Sequence, residues 1–223
     1  MGRKASLLGQ TLWRFKTNSP IVCSPSFDTN LQRLITGAED GVVYSIDASS
    51  GNEVWRFPTA GAIRASVSID CDSRCFIGSE DGFLYVLDGH AGVLLWKRKI
   101  SNSRHSEPLL FGDMVVSAGD SKLVVALEVA TGEVRWLAAL RGPHVGGAAL
   151  VAELWSAIGR DAGKVDLLDR ESVQTVWTFD TGGSIRSPSC CWRQPLGAKH
   201  GWPPLLLWQR YGRCRMKSLV LSR

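Results

Sequence analysis

No apolar run in the 223 residues is long enough to cross a bilayer as a helix, and Met1 to Gln10 has neither an apolar stretch nor a small-residue cleavage site. A membrane span and a secretory leader are therefore not expected, and a cytoplasmic location is. Histidine is scarce, and none of His90, His105, His144 and His200 stands at metal-ligand spacing from cysteine or carboxylate. The six cysteines imply no disulfide framework; Cys23, Cys71 and Cys75 lie in or beside apolar runs and read as small buried hydrophobes. No glycine-flanked nucleophile turn is present, which leaves the serines without a hydrolase context. Nowhere does a 3.6-residue apolar period persist. The chain is expected to be all-β.

What is present is repetition. Thr36 to Trp55 reads T-G-A-E-D-G-V-V-Y-S-I-D-A-S-S-G-N-E-V-W, and Gly78 to Trp96 reads G-S-E-D-G-F-L-Y-V-L-D-G-H-A-G-V-L-L-W. Gly37, Asp40, Gly41, Tyr44, Asp47, Gly51 and Trp55 recur as Gly78, Asp81, Gly82, Tyr85, Asp88, Gly92 and Trp96. A third copy runs from Gly119 through Glu128 and Thr131-Gly132 to Trp136, and a fourth through Gly159, Asp161, Gly163 and Asp169 to Trp177. Trp13, Trp55, Trp96, Trp136 and Trp177 are 42, 41, 40 and 41 residues apart. A fixed period of this size is the mark of a repeat architecture.

Each repeat reads as short strands. Val42 to Ile46 and Phe83 to Leu87 are runs rich in β-branched and aromatic residues, and each follows an Asp-Gly hairpin signal. A second small-residue-Gly turn precedes a strand ending in or near tryptophan, as in Asn52 to Phe57. A further strand follows at Ala62 to Ile69, with counterparts at Pro20 to Phe27 and Ser184 to Ser189. Four antiparallel strands in about forty residues make one propeller blade. The recurring aspartates, Asp40, Asp47, Asp81, Asp88, Asp161 and Asp169, are expected to be turn formers that accept backbone N–H bonds rather than catalytic acids.

The Gly-x-x-Asp-Gly turn, the run ending in Asp, the small-residue-Gly turn and the following Trp together resemble the pyrroloquinoline-quinone-type propeller repeat over residues 10–189. Ser24-Pro25 and Ser187-Pro188 are similar to that family's Ser-Pro pair. The resemblance implies that the repeated Trp packs between blades against a glycine-bearing turn. That role falls on Trp55, Trp96, Trp136 and Trp177, with Trp13 closing a truncated blade. Within the family the repeats are similar to those of outer-membrane assembly lipoproteins and to the C-terminal repeats of acyl-CoA-synthetase-like, β-alanine-activating enzymes. Complete rings hold four to eight blades, and the resemblance implies seven or eight, so this chain of about four is expected to be part of a larger ring.

The composition changes at Cys190. From there to Arg223 the chain holds no acid, three of the nine tryptophans and seven of the 26 basic residues. Without that tail the net charge falls from +5 to −2, with 19 basic residues against 21 acids. The organisation expected is a lead at 1–9, repeats at 10–189, and an irregular basic tail at 190–223 that resembles an altered-frame end. Cys190-Cys191 is similar to the vicinal cysteine pair of quinone dehydrogenases, but it falls where the repeat ends.

The leading functional expectation is a non-catalytic scaffold whose partner is another protein or the remaining blades. A fragment of a quinone-dependent alcohol or sugar dehydrogenase is the alternative, and only there would the quinone and calcium be expected. A nucleic-acid or membrane contact through the tail is the third reading, although no nucleic-acid partner is expected.

Overall fold

The computed structural model describes residues 11–101, 106–118, 123–139, 148–151, 155–160, 164–169, 175–180 and 182. They form sixteen strands and no helix: β1 (Ser26–Asp28), β2 (Arg33–Gly37), β3 (Val42–Asp47), β4 (Glu53–Pro58), β5 (Ser68–Ile69), β6 (Arg74–Gly78), β7 (Phe83–Asp88), β8 (Leu94–Lys99), β9 (Leu109–Phe111), β10 (Met114–Ala118), β11 (Leu123–Glu128), β12 (Val134–Ala139), β13 (Ala148–Val151), β14 (Trp155–Arg160), β15 (Lys164–Asp169) and β16 (Thr175–Asp180). Consecutive strands pair antiparallel in four sheets of four, β1–β4, β5–β8, β9–β12 and β13–β16. The tail at 190–223, the strand expected at Ser184 to Ser189 and the turn acid Asp161 lie outside the described residues.

The four sheets are copies in register. Trp55, Trp96, Trp136 and Trp177 stand opposite Ser45, Val86, Ala126 and Leu167, and in each sheet a β-bulge follows that pair. An extra residue at that point bends the outer strand and strengthens its twist. The same kink thus recurs in every blade beside its tryptophan.

Burial explains the strand sequences. β3, β7 and β11 read as near-continuous apolar runs because both faces of each sheet are covered, by neighbouring blades and, on the outer face of the first sheet, by Trp13 and Phe15. One seam buries Ile35, Val43, Trp55, Ile63, Cys75, Ile77, Tyr85 and Leu87 between the first and second blades. The next buries Phe76, Leu84, Val86, Val115, Val125 and Leu127 between the second and third. The innermost strands β1, β5, β9 and β13 follow one another around an axis. Among the described residues β1 and β13 do not meet, so the ring is open.

Three details differ from the sequence reading. The strand expected over Ala62 to Ile69 is only Ser68–Ile69, and it opens the next sheet by pairing with β6. Its counterpart over Pro20 to Phe27 is Ser26–Asp28. Near the axis the blades converge, so only a few residues of each innermost strand can pair. Residues 11–17 carry Trp13 without strand pairing. The exposed Cys71 corrects the expectation of a buried thiol, since it lies in the turn between β5 and β6, whereas Cys75 on β6 is buried.

Candidate functional site

The repeated residues build the seams between blades. Gly51, Gly92 and Gly132 have φ of +74°, +70° and +72°, and a Cβ on any of them would fall inside the indole of Trp13, Trp55 or Trp96 respectively. The approach is 2.5 Å for Gly51 and Gly92 and 2.6 Å for Gly132, closer than real Cβ contacts come. Glycine is required there twice, by the left-handed backbone and by the ring lying on it. Each indole also donates its N–H to the same turn: Trp13 to the Ala48 carbonyl at 2.9 Å, Trp55 to Gly89 at 2.8 Å and Trp96 to Val129 at 3.0 Å. So the tryptophan of one blade seats on the glycine turn of the next.

Asp47 and Asp88 hold those turns in shape. Asp47 Oδ1 accepts the hydroxyls and N–H groups of Ser49 and Ser50, and Asp88 Oδ1 accepts the His90 N–H. The Ser49 hydroxyl, followed by the Ser50 contacts, lowers the Asp47 carboxyl to about 2. Glu128 does the corresponding work in the third blade, where Thr131 donates to its carboxylate.

The hairpin glycines Gly41 and Gly82 also have positive φ, +80° and +90°. Beside them Asp40 and Asp81 accept the N–H groups of Val42 and Phe83. Gly37 ends β2, where an added Cβ would lie 2.2 Å from Ile63, and Gly78 ends β6 opposite Leu84. Burial raises the Tyr85 hydroxyl to about 12, helped by its hydrogen bond to Asp81. Burial opposes ionisation of Asp81 in turn, but donors from Tyr85, Phe83, Ser79 and Ala60 outweigh it and hold that carboxyl low.

Trp136 departs from the pattern. Its indole N–H is buried with no hydrogen-bond partner among the described residues. In the sequence Val173 stands four residues after Asp169, where the other repeats place glycine. Trp177 holds the equivalent place on β16, opposite Leu167.

Several seam residues lie outside the repeated turn and tryptophan motif. Arg33 donates to the Gly89 and His90 carbonyls at 2.8 and 2.9 Å, and Arg98 to the Gly132 carbonyl at 2.8 Å. Arg64 lies between Glu39 of the first blade and Glu80 of the second, at 3.1 and 3.5 Å. Near the axis Ser26 donates to Val67 and Ser68 to the Pro108 carbonyl, one blade on in each case. The signal available for the last pair was their shared place, opposite Ile35 and Phe76.

These groups hold one blade to the next. Among the described residues no three of His, Cys, Asp and Glu stand together as metal ligands. The aspartates Asp40, Asp47, Asp81 and Asp88 are occupied by turn donors. Calcium needs six to eight oxygens converging on one point, and these carboxylates are dispersed one to a turn.

Comparison with known proteins agrees with the repeat geometry. A PQQ-like repeat family model, described as outer membrane protein assembly factor BamB, matches residues 39–178. No curated protein matches the chain. Among solved structures, BamB from Moraxella catarrhalis is 23% identical, covering 71% of this chain and 48% of its own, with a TM-score of 0.61. The computationally designed Ika8 protein is 19% identical, covering 73% and 50%, at a TM-score of 0.66. A chain of the mitotic checkpoint complex is 15% identical, covering 73% and 52%, also at 0.66. These likenesses are of fold, and the chain spans about half the length of each of these structures. With the repeat model matched over more than half its length, the chain belongs to the PQQ-like β-propeller repeat family of the assembly factor BamB.

Proposed function

We propose that this chain is a non-catalytic binding scaffold, a run of blades from a larger propeller that presents its rim and loops to a protein partner. The observation carrying the reading is that the repeated polar groups are consumed in building the molecule. The indoles of Trp13, Trp55 and Trp96 cap the next turn, and the repeated aspartates hold backbone N–H groups. A rigid array with little chemistry left over is suited to holding other chains. The relatives named for assembly and for a multi-protein complex support the same reading. The matched lengths support further blades completing the ring.

The test is dye-linked oxidation of alcohols and glucose by the purified chain, with and without added quinone and calcium. Absence of cofactor-dependent turnover is expected. Turnover that appears with the quinone and vanishes on its removal would replace the scaffold by a quinone dehydrogenase.

A further inference from the structure

The outer strand of the second blade offers something the other outer strands do not. β8 ends its sheet, so among the described residues one of its edges has no strand beside it. The Ile100 N–H donates to the Gly82 carbonyl at 2.9 Å. In an antiparallel ladder the hydrogen-bonded pairs recur every second residue. That phase makes Arg98 opposite Leu84 and Trp96 opposite Val86 the bonded pairs, and it turns the main-chain N–H and C=O of Lys97 and Lys99 outward.

The side chains sort the same way. Trp96 and Arg98 reach the third blade, at the Val129 and Gly132 carbonyls. Lys97 lies on the other face, its ammonium 5.0 Å and 5.5 Å from the ring centroids of Phe83 and Tyr85. Lys99 is exposed beside it, and Leu95 is 49% exposed. Neither lysine has an ion-pair partner among the described residues.

The equivalent edges are closed, neutral or acidic. On β4 those positions are Arg56, paired with Glu53 at 2.7 Å, and Pro58, which has no N–H to give. On β12 they are Leu137 and Ala139, with Arg135 already paired to Asp113 and Glu128. On β16 they are Thr178 and Asp180.

We propose that the open edge of β8 takes an extended, acidic segment of a partner protein as an added strand, with two acids at alternate positions opposite Lys99 and Lys97. Strand addition supplies affinity through main-chain bonds and specificity through alternate side chains. Residues facing across a ladder lie on the same side, so acids at that spacing meet both ammonium groups. The lysines also argue against a second copy of this edge, which would bring like charges together. This inference rests on the scaffold reading and names its partner class.

The probe is a seven-residue peptide of threonines with glutamate at its second and fourth positions, titrated into the full chain by calorimetry and followed by amide NMR. Its lysine-for-glutamate counterpart is the control, and the variant is Lys97→Glu/Lys99→Glu, checked for retained fold by circular dichroism. The glutamate peptide is expected to bind and to protect the Lys97 and Lys99 amides. The double variant should weaken it by about tenfold or more and should favour the lysine peptide, since two attractive cross-strand pairs become repulsive. No binding, equal binding of both peptides, indifference to the charge reversal, protection confined elsewhere, or a dimer that excludes the peptide would each overturn the β8 assignment. Those results with quinone-dependent turnover still absent would leave the scaffold standing; turnover itself is what would remove it.

Discussion

Gly92→Ala adds one methyl group at a point where the structure says two separate things forbid it. The residue sits at φ +70°, and the new Cβ would lie 2.5 Å from Trp55 Cδ2 and 2.7 Å from its Cγ and Cε3. A side chain in the left-handed region costs about 1–2 kcal/mol by itself. To clear the methyl, Trp55 must withdraw from a site where it is 8% exposed. Withdrawal breaks its 2.8 Å bond to the Gly89 carbonyl, worth about 1 kcal/mol net. The gap left in the seam adds about 1–2 kcal/mol, for about 3–5 kcal/mol in all.

Gly112→Ala separates the two causes. Gly112 has φ +55° and nothing within 4 Å of its added Cβ, so only the backbone cost of about 1–2 kcal/mol is expected. Urea unfolding followed by far-ultraviolet circular dichroism gives both values. In a Trp55→Ala background the cost of Gly92→Ala should fall to that same backbone level, a coupling of about 2–3 kcal/mol between neighbours in contact. Equal costs at Gly92 and Gly112, or a Gly92→Ala cost undiminished without Trp55, would refute the seat as the reason for the glycine.

The remaining predictions concern the seams and the titrating groups. Trp55→Ala or Trp96→Ala should cost about 3–5 kcal/mol, and amide exchange should quicken in the following blade as well, because repeats draw stability from their neighbours; an unchanged neighbour contradicts a seam role. Trp96→Phe should cost about 1 kcal/mol more than Trp136→Phe in urea unfolding, since the Trp96 indole N–H is bonded to Val129 and that of Trp136 is buried without a partner among the described residues. Cys71 should react with iodoacetamide at neutral pH while Cys75, with its thiol raised to about 12 by burial, reacts only on unfolding, as read by peptide mapping. Asp47, lowered from 3.8 to about 2, should stabilise its turn fully above the ordinary carboxylate value and lose that effect as pH falls through about 2. Its carboxyl carbon should titrate near that lower value by NMR, moving upward in Ser49→Ala; a midpoint at 3.8 would refute the hydrogen-bonded turn.

The residues that a sequence reading finds in this chain are those whose requirement is local. Asp40-Gly41 and Asp81-Gly82 announce a hairpin because glycine's own φ decides it, and the five spaced tryptophans announce copies because the chain repeats them. All-β blades and the turn duty of the aspartates follow from such signals, and so does the equivalence of Trp55, Trp96, Trp136 and Trp177. The extent of β5 does not follow, because it depends on how closely blades converge at the axis, nor does the exposure of Cys71, which comes from its place in the turn between β5 and β6. Nor does the sequence say that Gly92 lies under Trp55, 37 positions earlier in the chain, rather than under a tryptophan of its own repeat. That pairing is set by the rigid placement of one blade against the next, as are the reach of Arg33 to Gly89 and the place of Arg64 between two glutamates. The outward turn of Lys97 and Lys99 is decided by the phase of a hydrogen-bond ladder. A shift of one residue in that ladder would have turned the same main-chain groups inward.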